Sequence, residues 1–377
     1  MADTQRMKTL AFVIDDIGDG GVGNVVLRLS RALRARGFRV PIIALRARQG
    51  GHVHALQPGD DVHVLLPTRL RFCSVLRRRH EARHLARTLR SLAPDGDTRK
   101  FQGIVGFKRN ALRALHASRI DHANVHYSLR SSIFGSLETA RSRSLWRYLR
   151  VRNRLRSHLN GKSLLCVSKG IENELAEYSI DAKRAATILN PYDFKHIRAL
   201  ADEPIPMPET EYIVHVGRDD VQKRIDVLLE AFRLVREPVS LVLVGTHSDR
   251  LPSLVARMGL SDRVHLVGFQ QNPFPWMRRA RLLVLSSDYE GCANVLVESL
   301  ICGTPVVSTN CPCGPSEILT GDLACGLVPR RDPKALAAAI DDLLNSPPDV
   351  SRAEVFERVD INQACDGYLA ACGIAPA

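Results

Sequence analysis

Two carboxylates eight positions apart, Glu290 and Glu298, mark the segment of the chain with the clearest chemical potential. Both follow an apolar strand pattern at Leu282–Leu285; Glu290 lies in the loop after it, and Glu298 lies within a predicted helix that begins at Ala293 or Asn294. The free N–H groups and the positive dipole at such a helix start suit a phosphate. Glu298, one turn into the helix, could hold the vicinal hydroxyls of a ribose, and Glu290 could hold a sugar hydroxyl. The spacing alone also fits a capped helix with two solvated glutamates.

Two cations five residues apart, Arg218 and Lys223, occupy another turn between a strand and a helix. The strand pattern covers residues 212–216, and the helix pattern covers residues 225–235. Guanidinium and ammonium groups in such a turn could grip a diphosphate. A solvated basic loop accounts for the same residues equally well, so this pattern gains meaning only beside the rest of the chain.

A glycine-rich loop at residues 15–23 follows the first apolar run and opens a helix. Its spacing does not match the dinucleotide fingerprint G-x-G-x-x-G with an acidic residue about 20 positions further on. As a backbone cradle for a sugar diphosphate the loop is reasonable. The candidate contacts in it are Gly20, Gly21 and Gly23.

Strand-like apolar runs alternate with helical segments along the chain, which predicts βαβ units and parallel sheets. The predicted strands cover residues 9–14, 39–45, 103–107, 123–127, 163–167, 212–216, 240–244, 263–266, 282–285 and 305–308. A stretch rich in proline and charge at residues 202–209 predicts a linker. We therefore expect an α/β protein with two doubly wound, Rossmann-like domains that face each other across a cleft, where ligands bind at the carboxyl ends of the strands.

Together these segments resemble glycosyltransferase family 4, the retaining enzymes of GT-B fold that include many lipopolysaccharide and capsule transferases. Five blocks in the family's order carry the resemblance over nearly the whole chain. They are Val167-Ser168, Asn190–Asp193, Val216–Arg218 with Lys223 and residues 227–232, the E-x7-E motif from Glu290 to Glu298, and residues 303–307 with 314–317. The implied domains are residues 1–195 on the acceptor side, a linker at 196–211, a nucleotide-sugar domain at 212–360, and a helix at 361–377 that packs back on the first domain.

The resemblance also implies roles for single residues. Arg218 and Lys223 would neutralise the leaving diphosphate, Glu298 would hold the ribose, and Glu290 would position the donor sugar or assist at its reacting face. His126, at the end of the predicted strand 123–127, would stand beside the donor sugar, with His122 as the alternative. Further donor contacts are expected near the base and at the helix start, from Gly268, Phe269, Gly291, Asn294 and Val295.

The implied reaction is a retaining, metal-independent transfer of a hexose or N-acetylhexosamine from a nucleotide sugar, expected to be a UDP-sugar, without another cofactor. The acceptor would be a glycan or glycolipid of lipopolysaccharide core, O-antigen or capsule. The chain shows no D-x-D motif at a strand end, and cations with a helix dipole could stabilise the departing diphosphate instead. One alternative is a sugar-nucleotide epimerase on the same fold, although the acid/base pattern that it needs is missing. Another is a non-enzymatic, basic polyanion-binding protein.

The net charge of +13 is distributed unevenly. Residues 1–200 hold 37 Lys and Arg against 16 Asp and Glu, whereas the remainder holds 16 against 24. Residues 141–159 carry seven arginines with apolar residues interspersed, which favours docking on an anionic membrane. A stripe packed on the sheet, with solvated arginines, is the alternative.

Nucleic acid is not expected as a partner, because no zinc finger, RRM-type or helix-turn-helix signal occurs. No apolar run reaches about 18 residues, so we expect a cytoplasmic protein at the inner face of the membrane.

Overall fold

The computed structural model describes residues 7–17, 21–47, 56–66, 74–120, 124–206, 208, 210–246 and 248–375, without the side chains of 74–78. The strands in the first half are β1 Leu10–Asp16, β2 Ile42–Arg46, β3 Val62–Leu66, β4 Gly103–Phe107, β5 Val125–Leu129, β6 Ser163–Cys166 and β7 Arg184–Thr187. Those in the second half are β8 Tyr212–Val216, β9 Ser240–Val244, β10 Val264–Gly268, β11 Leu282–Leu285, β12 Val306–Thr309 and β13 Leu327–Val328.

Helices occupy the crossovers between successive strands, except that the described residues between β2 and β3 contain none. In the first half they are α1 Gly21–Ala35, α2 Ser74–Leu92, α3 Arg109–Ser118, α4 Ile133–Arg141, α5 Leu145–Leu159, α6 Lys169–Glu177 and α7 Phe194–Ala201. In the second half they are α8 Ile225–Phe232, α9 Arg250–Arg257, α10 Phe274–Arg278, α11 Asn294–Ile301, α12 Pro315–Ile318, α13 Pro333–Asn345, α14 Val355–Arg358 and α15 Ile361–Ala371. No helix in these described ranges is long and apolar enough to cross a membrane.

Two parallel sheets form the centres of two domains, as the alternating pattern predicts. The first has the strand order β3-β2-β1-β4-β5-β6-β7, and the second has the order β10-β9-β8-β11-β12-β13. Strands β4, β8, β9 and β11 are buried along their whole length because helices cover both faces, which explains their unbroken apolar runs. The expected α/β class with two doubly wound domains is confirmed.

Each sheet reverses its strand order at one point, between β1 and β4 in the first domain and between β8 and β11 in the second. Crossovers leave such a point in opposite directions, so a crevice opens outside the carboxyl ends of the two strands. In the second domain β8 passes into Gly217 and β11 passes into Ser286. The two loops with the candidate chemistry therefore begin side by side.

Two helices pack on the other domain from the one whose strands they follow in the chain. Helix α15, at the end of the chain, buries Tyr368 and Leu369 in the core of the first domain, and its Asp366 pairs at 2.5 Å with Arg36, the residue that directly follows α1. Helix α7 buries Ile197 and Ala201 in the core of the second domain. The segment predicted as a linker at residues 196–211 therefore begins inside a helix.

The two domains are in direct contact. Glu317 accepts hydrogen bonds from the backbone N–H groups of Lys169 at 2.6 Å and Gly170 at 2.8 Å, so a carboxylate of the second domain caps the start of α6 in the first. Gly291 lies so close to the Arg130 carbonyl oxygen that a Cβ there would approach it to 2.3 Å. This contact brings the end of β5 against the loop that follows β11.

Candidate functional site

The loops after β8 and β11 are joined by several hydrogen bonds. The backbone N–H of Asp288 donates to the Gln222 carbonyl at 2.8 Å, and the Gln222 amide donates to the Tyr289 carbonyl at 2.6 Å. Ser286 donates its hydroxyl to the Lys223 carbonyl at 2.7 Å. These bonds fix the two loops as one rigid unit at the carboxyl ends of their strands.

The unit holds a largely buried ion pair. Lys223 Nζ lies 2.8 Å from Glu290 Oε1, and the two side chains are only 15% and 9% exposed. Ser287 donates its hydroxyl to the same carboxylate oxygen at 2.6 Å. The backbone N–H of Glu290 donates to the Pro312 carbonyl at 3.2 Å, which fixes the direction of the side chain. The structure thus brings together two residues that stand 67 positions apart and that the sequence assigned to one donor site.

The other predicted cation lies in a different environment. The side chain of Arg218 is 83% exposed, and its guanidinium pairs with Asp220 at 2.9 Å. Only Lys223 of the two cations contacts Glu290 in the described structure. Arg218 therefore lies at the solvent-exposed rim of the site, and Lys223 lies inside it.

The start of α11 faces the start of α1 across the cleft. Ala293 precedes α11 with a left-handed φ of 45°, and Asn294 and Val295 open the helix, both half-buried. A Cβ on Gly21, the first residue of α1, would lie 3.1 Å from the Asn294 side-chain nitrogen. The starts of the two helices are therefore neighbours, and the positive end of each favours a nearby anion.

The side chain of Asn294 is committed to the segment that links the domains. Its Oδ1 accepts hydrogen bonds from the Asn190 amide at 2.5 Å and from the Tyr192 hydroxyl at 2.8 Å. At this helix start the groups that can donate to a ligand are the backbone N–H groups, which have no partner within the helix, and the side-chain amide nitrogen of Asn294.

Glu298 lies one turn into α11 and is half-buried. Burial raises the pKa of its carboxyl, and the cations of Arg28 and Lys223 act in the opposite direction. Arg28 belongs to α1, donates to the Pro191 carbonyl at 3.0 Å, and lies 5.5 Å from the ring centre of Tyr192. Arg28 is not among the residues that the sequence motifs indicate, although an arginine between the apolar residues Leu27 and Leu29 of a predicted helix is a usable signal.

The remaining donor candidates lie at the same end of the second sheet or in the first glycine loop. Gly268 ends β10 with a φ of 67°, its carbonyl accepts from the Gly245 N–H at 2.7 Å, and Phe269 beyond it is 49% exposed. Gly23 is buried within α1. Gly20 lies outside the described residues.

His126 is not where the sequence predicted it. Strand β5 covers Val125–Leu129, two residues later than the predicted strand, so His126 lies near its amino end and not at its carboxyl end. It is buried, and Asn124 on the same face donates to the Cys372 carbonyl behind α15 at 3.2 Å. His122, the alternative, lies outside the described residues.

Arg130 occupies the position that the prediction gave to the histidine. It directly follows β5, and its guanidinium donates to the Asn190 side chain and lies 5.9 Å from the ring centre of Phe107. Its carbonyl touches Gly291. A basic residue immediately after an apolar strand was the available signal, and the predicted strand boundary concealed it.

No group of three or more His, Cys, Asp or Glu side chains within the described ranges is arranged to hold a metal ion. The cations that face the cleft are arginine and lysine side chains.

Two family models match the chain. Residues 19–196 match the model described as Glycosyltransferase Family 4, and residues 210–346 match the model described as Glycosyl transferases group 1. The two matches meet at the segment between the domains.

Two curated relatives show similarity to part of the chain. An N-acetylgalactosamine-N,N'-diacetylbacillosaminyl-diphospho-undecaprenol 4-alpha-N-acetylgalactosaminyltransferase of Campylobacter jejuni is 33% identical over 168 residues, which are 44% of this chain and 46% of that protein. A lipopolysaccharide 1,6-galactosyltransferase of Escherichia coli is 28% identical over 172 residues, which are 42% of this chain and 46% of that protein. The chain thus spans less than half the length of these relatives.

A solved structure extends the similarity of fold to the whole chain. The Anabaena protein Alr3699/HepE, in complex with UDP and glucose, superposes with a TM-score of 0.73 over 97% of this chain and 99% of that chain, at 18% identity. The two-domain arrangement is therefore the GT-B fold.

Proposed function

Because the chain belongs to the family-4 glycosyltransferases, we propose that it transfers a sugar from a nucleotide donor to a glycan or glycolipid of the cell surface. One observation carries this proposal: the buried ion pair of Lys223 and Glu290, 2.8 Å apart, at the switch point of the second sheet and beside the start of α11. The names of the Campylobacter and Escherichia coli relatives support an acceptor of the lipid-linked or lipopolysaccharide class.

The donor's parts correspond to different groups of this site. We place the diphosphate between Lys223 and the facing starts of α1 and α11, where positive charge converges. We place the ribose at Glu298, and the base near the exposed ring of Phe269. The sugar then lies towards Glu290, whose carboxylate can accept hydrogen bonds from its hydroxyl groups.

The proposed reaction breaks the bond between the sugar and the diphosphate. Negative charge then builds up on the diphosphate and positive charge on the sugar ring. Lys223 and the helix starts stabilise the former, and the carboxylate of Glu290 favours the latter. In the retaining course that we propose, an oxygen of the leaving phosphate accepts the proton of the acceptor hydroxyl, which then attacks the same face of the sugar. The scheme assigns no step to a metal ion.

The donor is proposed to be a UDP-hexose or UDP-N-acetylhexosamine. Two points can be tested together, the identity of the donor and the independence of metal ions. The purified protein is incubated in EDTA with a panel of nucleotide sugars, and the nucleotide and sugar products are separated by chromatography. Release of UDP from one of these donors is the expected result. Conversion of the sugar into its epimer without nucleotide release would instead indicate an epimerase, and activity that requires added Mg²⁺ or Mn²⁺ would overturn the metal-independent scheme.

We also propose that the first domain docks on the anionic inner face of the cytoplasmic membrane. The exposed side of α5 supports this location. Leu145 and Trp146 in its first turn are 66% and 84% exposed, whereas Tyr148, Val151 and Leu155 pack against the core. The predicted apolar stripe is thus largely covered, and the contact would consist of the first turn and the arginines around it. The exposed arginines are Arg141, Arg143, Arg147, Arg150 and Arg154.

A further inference from the structure

His215 is a fully buried residue of β8 that the scheme above leaves unused. Its Nδ1 lies 3.0 Å from the Val284 carbonyl oxygen on the neighbouring strand β11. A carbonyl oxygen can only accept, so Nδ1 carries the proton and donates. In the neutral ring the other nitrogen, Nε2, is then an acceptor with a free lone pair.

Nε2 has no hydrogen-bond partner among the residues that the structure describes. A buried polar atom without a partner costs free energy, so its retention needs an explanation. Nε2 faces the space beside Gly217, where a Cβ would lie 3.2 Å from Nε2 and 3.3 Å from Lys223 Cε. Since glycine has no Cβ, the histidine and the end of the lysine side chain border the same small gap.

The ring is neutral at physiological pH. Burial, together with the nearby cation of Lys223, lowers the pKa of His215 to about 4, and the Val284 carbonyl, Glu290 and Asp219 oppose this shift with smaller effects. His215 therefore places a neutral acceptor, and not a second cation, under the proposed diphosphate site.

We propose that His215 is a positioning residue for Lys223, whose ammonium group donates to Nε2 when the donor diphosphate occupies the site. The inference rests on the proposed function. An ammonium group has three N–H donors, and one of them is held by Glu290 in this structure. A neutral acceptor can orient the lysine without cancelling its charge, whereas a carboxylate partner cancels much of it. His215 thus lets Lys223 turn its full charge to the diphosphate and leaves Glu290 for the donor sugar.

A matched pair of variants separates this role from a purely structural one. In His215→Asn the side-chain amide stands in for Nδ1 and can keep the bond to Val284, but Nε2 is lost. In His215→Gln the amide stands in for Nε2, and the bond to Val284 is lost. The measurement is UDP affinity by calorimetry, with thermal unfolding of each variant recorded beside it.

The proposal predicts that UDP binds about ten-fold to a hundred-fold more weakly to His215→Asn, the range for a hydrogen bond to a charged group, and that His215→Gln recovers much of the affinity. A structural role of the Val284 bond predicts the reverse order and overturns the proposal, as does wild-type affinity in His215→Asn. Absence of UDP binding by the wild-type chain would instead overturn the proposed function itself.

Gly217→Ala provides a test if both histidine variants unfold. Its methyl group would occupy the gap between Nε2 and Lys223 and separate them. Weakened UDP binding at an unchanged unfolding midpoint is expected. Wild-type affinity in this variant would overturn the proposal.

Discussion

Lys223 and Arg218 belong to one loop, yet their side chains have different surroundings. Lys223 is largely buried against Glu290, whereas Arg218 is exposed and pairs with Asp220 at 2.9 Å. The sequence identifies both as cations after a strand, but it does not indicate which of them is the more important for binding the diphosphate. The ranking depends on Glu290, which only the pairing of β8 with β11 brings to the same place.

Lys223→Ala is expected to lower UDP release from the donor about 30-fold or more, since truncating one member of a buried charged pair costs about 2–5 kcal/mol. Arg218→Ala, its matched control in the same loop, is expected to lose less than about ten-fold, in line with an exposed ion pair. The losses in the two variants are compared by initial rates of UDP release at saturating donor, and unfolding midpoints are measured in parallel. Equal losses in the two variants would contradict the ranking.

Replacing Glu298 by glutamine should change the stability of the fold and the affinity for UDP in opposite directions. Burial raises the pKa of its carboxyl in the folded protein, so the ionised form is disfavoured and stability falls as the pH rises from about 4.5 through the raised pKa. Glu298→Gln is therefore expected to raise the unfolding midpoint at pH 7 and to lose that gain near pH 4. The same change should weaken UDP binding, because the ribose loses a charged acceptor. Stability gained equally at both pH values would contradict this account.

At the scale of elements, the sequence predicted some boundaries fully and others poorly. The predicted bounds of β4, β8, β9 and β11 coincide with the observed ones, because a continuous apolar run between polar or glycine residues marks a strand buried on both faces. Strand β5 begins two residues later than predicted. That small shift moves the carboxyl end from Tyr127 to Leu129 and gives Arg130 the place assigned to the histidine.

Elements without an apolar run were missed. The edge strand β7, Arg184–Thr187, is mostly exposed, and β3, Val62–Leu66, is interrupted by a histidine and is only partly buried. Helix α7 alternates apolar and basic residues just before the proline-rich stretch, so it was included in the linker. These elements form through pairing and packing with distant parts of the chain, which local patterns do not record.

A substitution of Gly291 tests whether UDP release requires the close contact between the two domains. Gly291→Ala places a methyl group 2.3 Å from the Arg130 carbonyl oxygen, and backbone cannot yield as a flexible side chain does. We expect the cleft to open, with a larger radius of gyration by small-angle scattering and lower UDP release. Each domain should keep its packing, so the unfolding midpoint should change little. An unchanged radius together with wild-type activity would contradict the required contact.

At the scale of the whole molecule, the positive charge is concentrated in the first domain while the second is mildly acidic. None of the exposed arginines of α5 forms an ion pair within the part of the chain that the structure describes. Unpaired cations beside an exposed tryptophan suit an anionic lipid surface better than a neutral one.

Vesicle co-sedimentation tests that surface. Binding to anionic but not neutral vesicles, weakened by salt, is expected. Replacing three exposed arginines of α5 by glutamine should reduce binding more than the same change in the second domain, which removes an equal charge. The two sets are Arg147, Arg150 and Arg154, and Arg233, Arg257 and Arg352. Equal losses in the two sets would contradict docking through α5.

In the proposed reaction, the cleft between the two sheets cleaves a nucleotide sugar with Lys223 and Glu290. The most direct test is the rate of UDP release from the accepted UDP-sugar in EDTA, compared between the wild-type chain and Glu290→Gln. Glutamine keeps the size of the side chain and removes its charge, so the fold should persist. We expect steady release by the wild type and a loss of about 30-fold or more in the variant, the cost of breaking a buried charged pair. Equal rates for the two proteins, or no release by the wild type from any nucleotide sugar, would contradict this role of the pair.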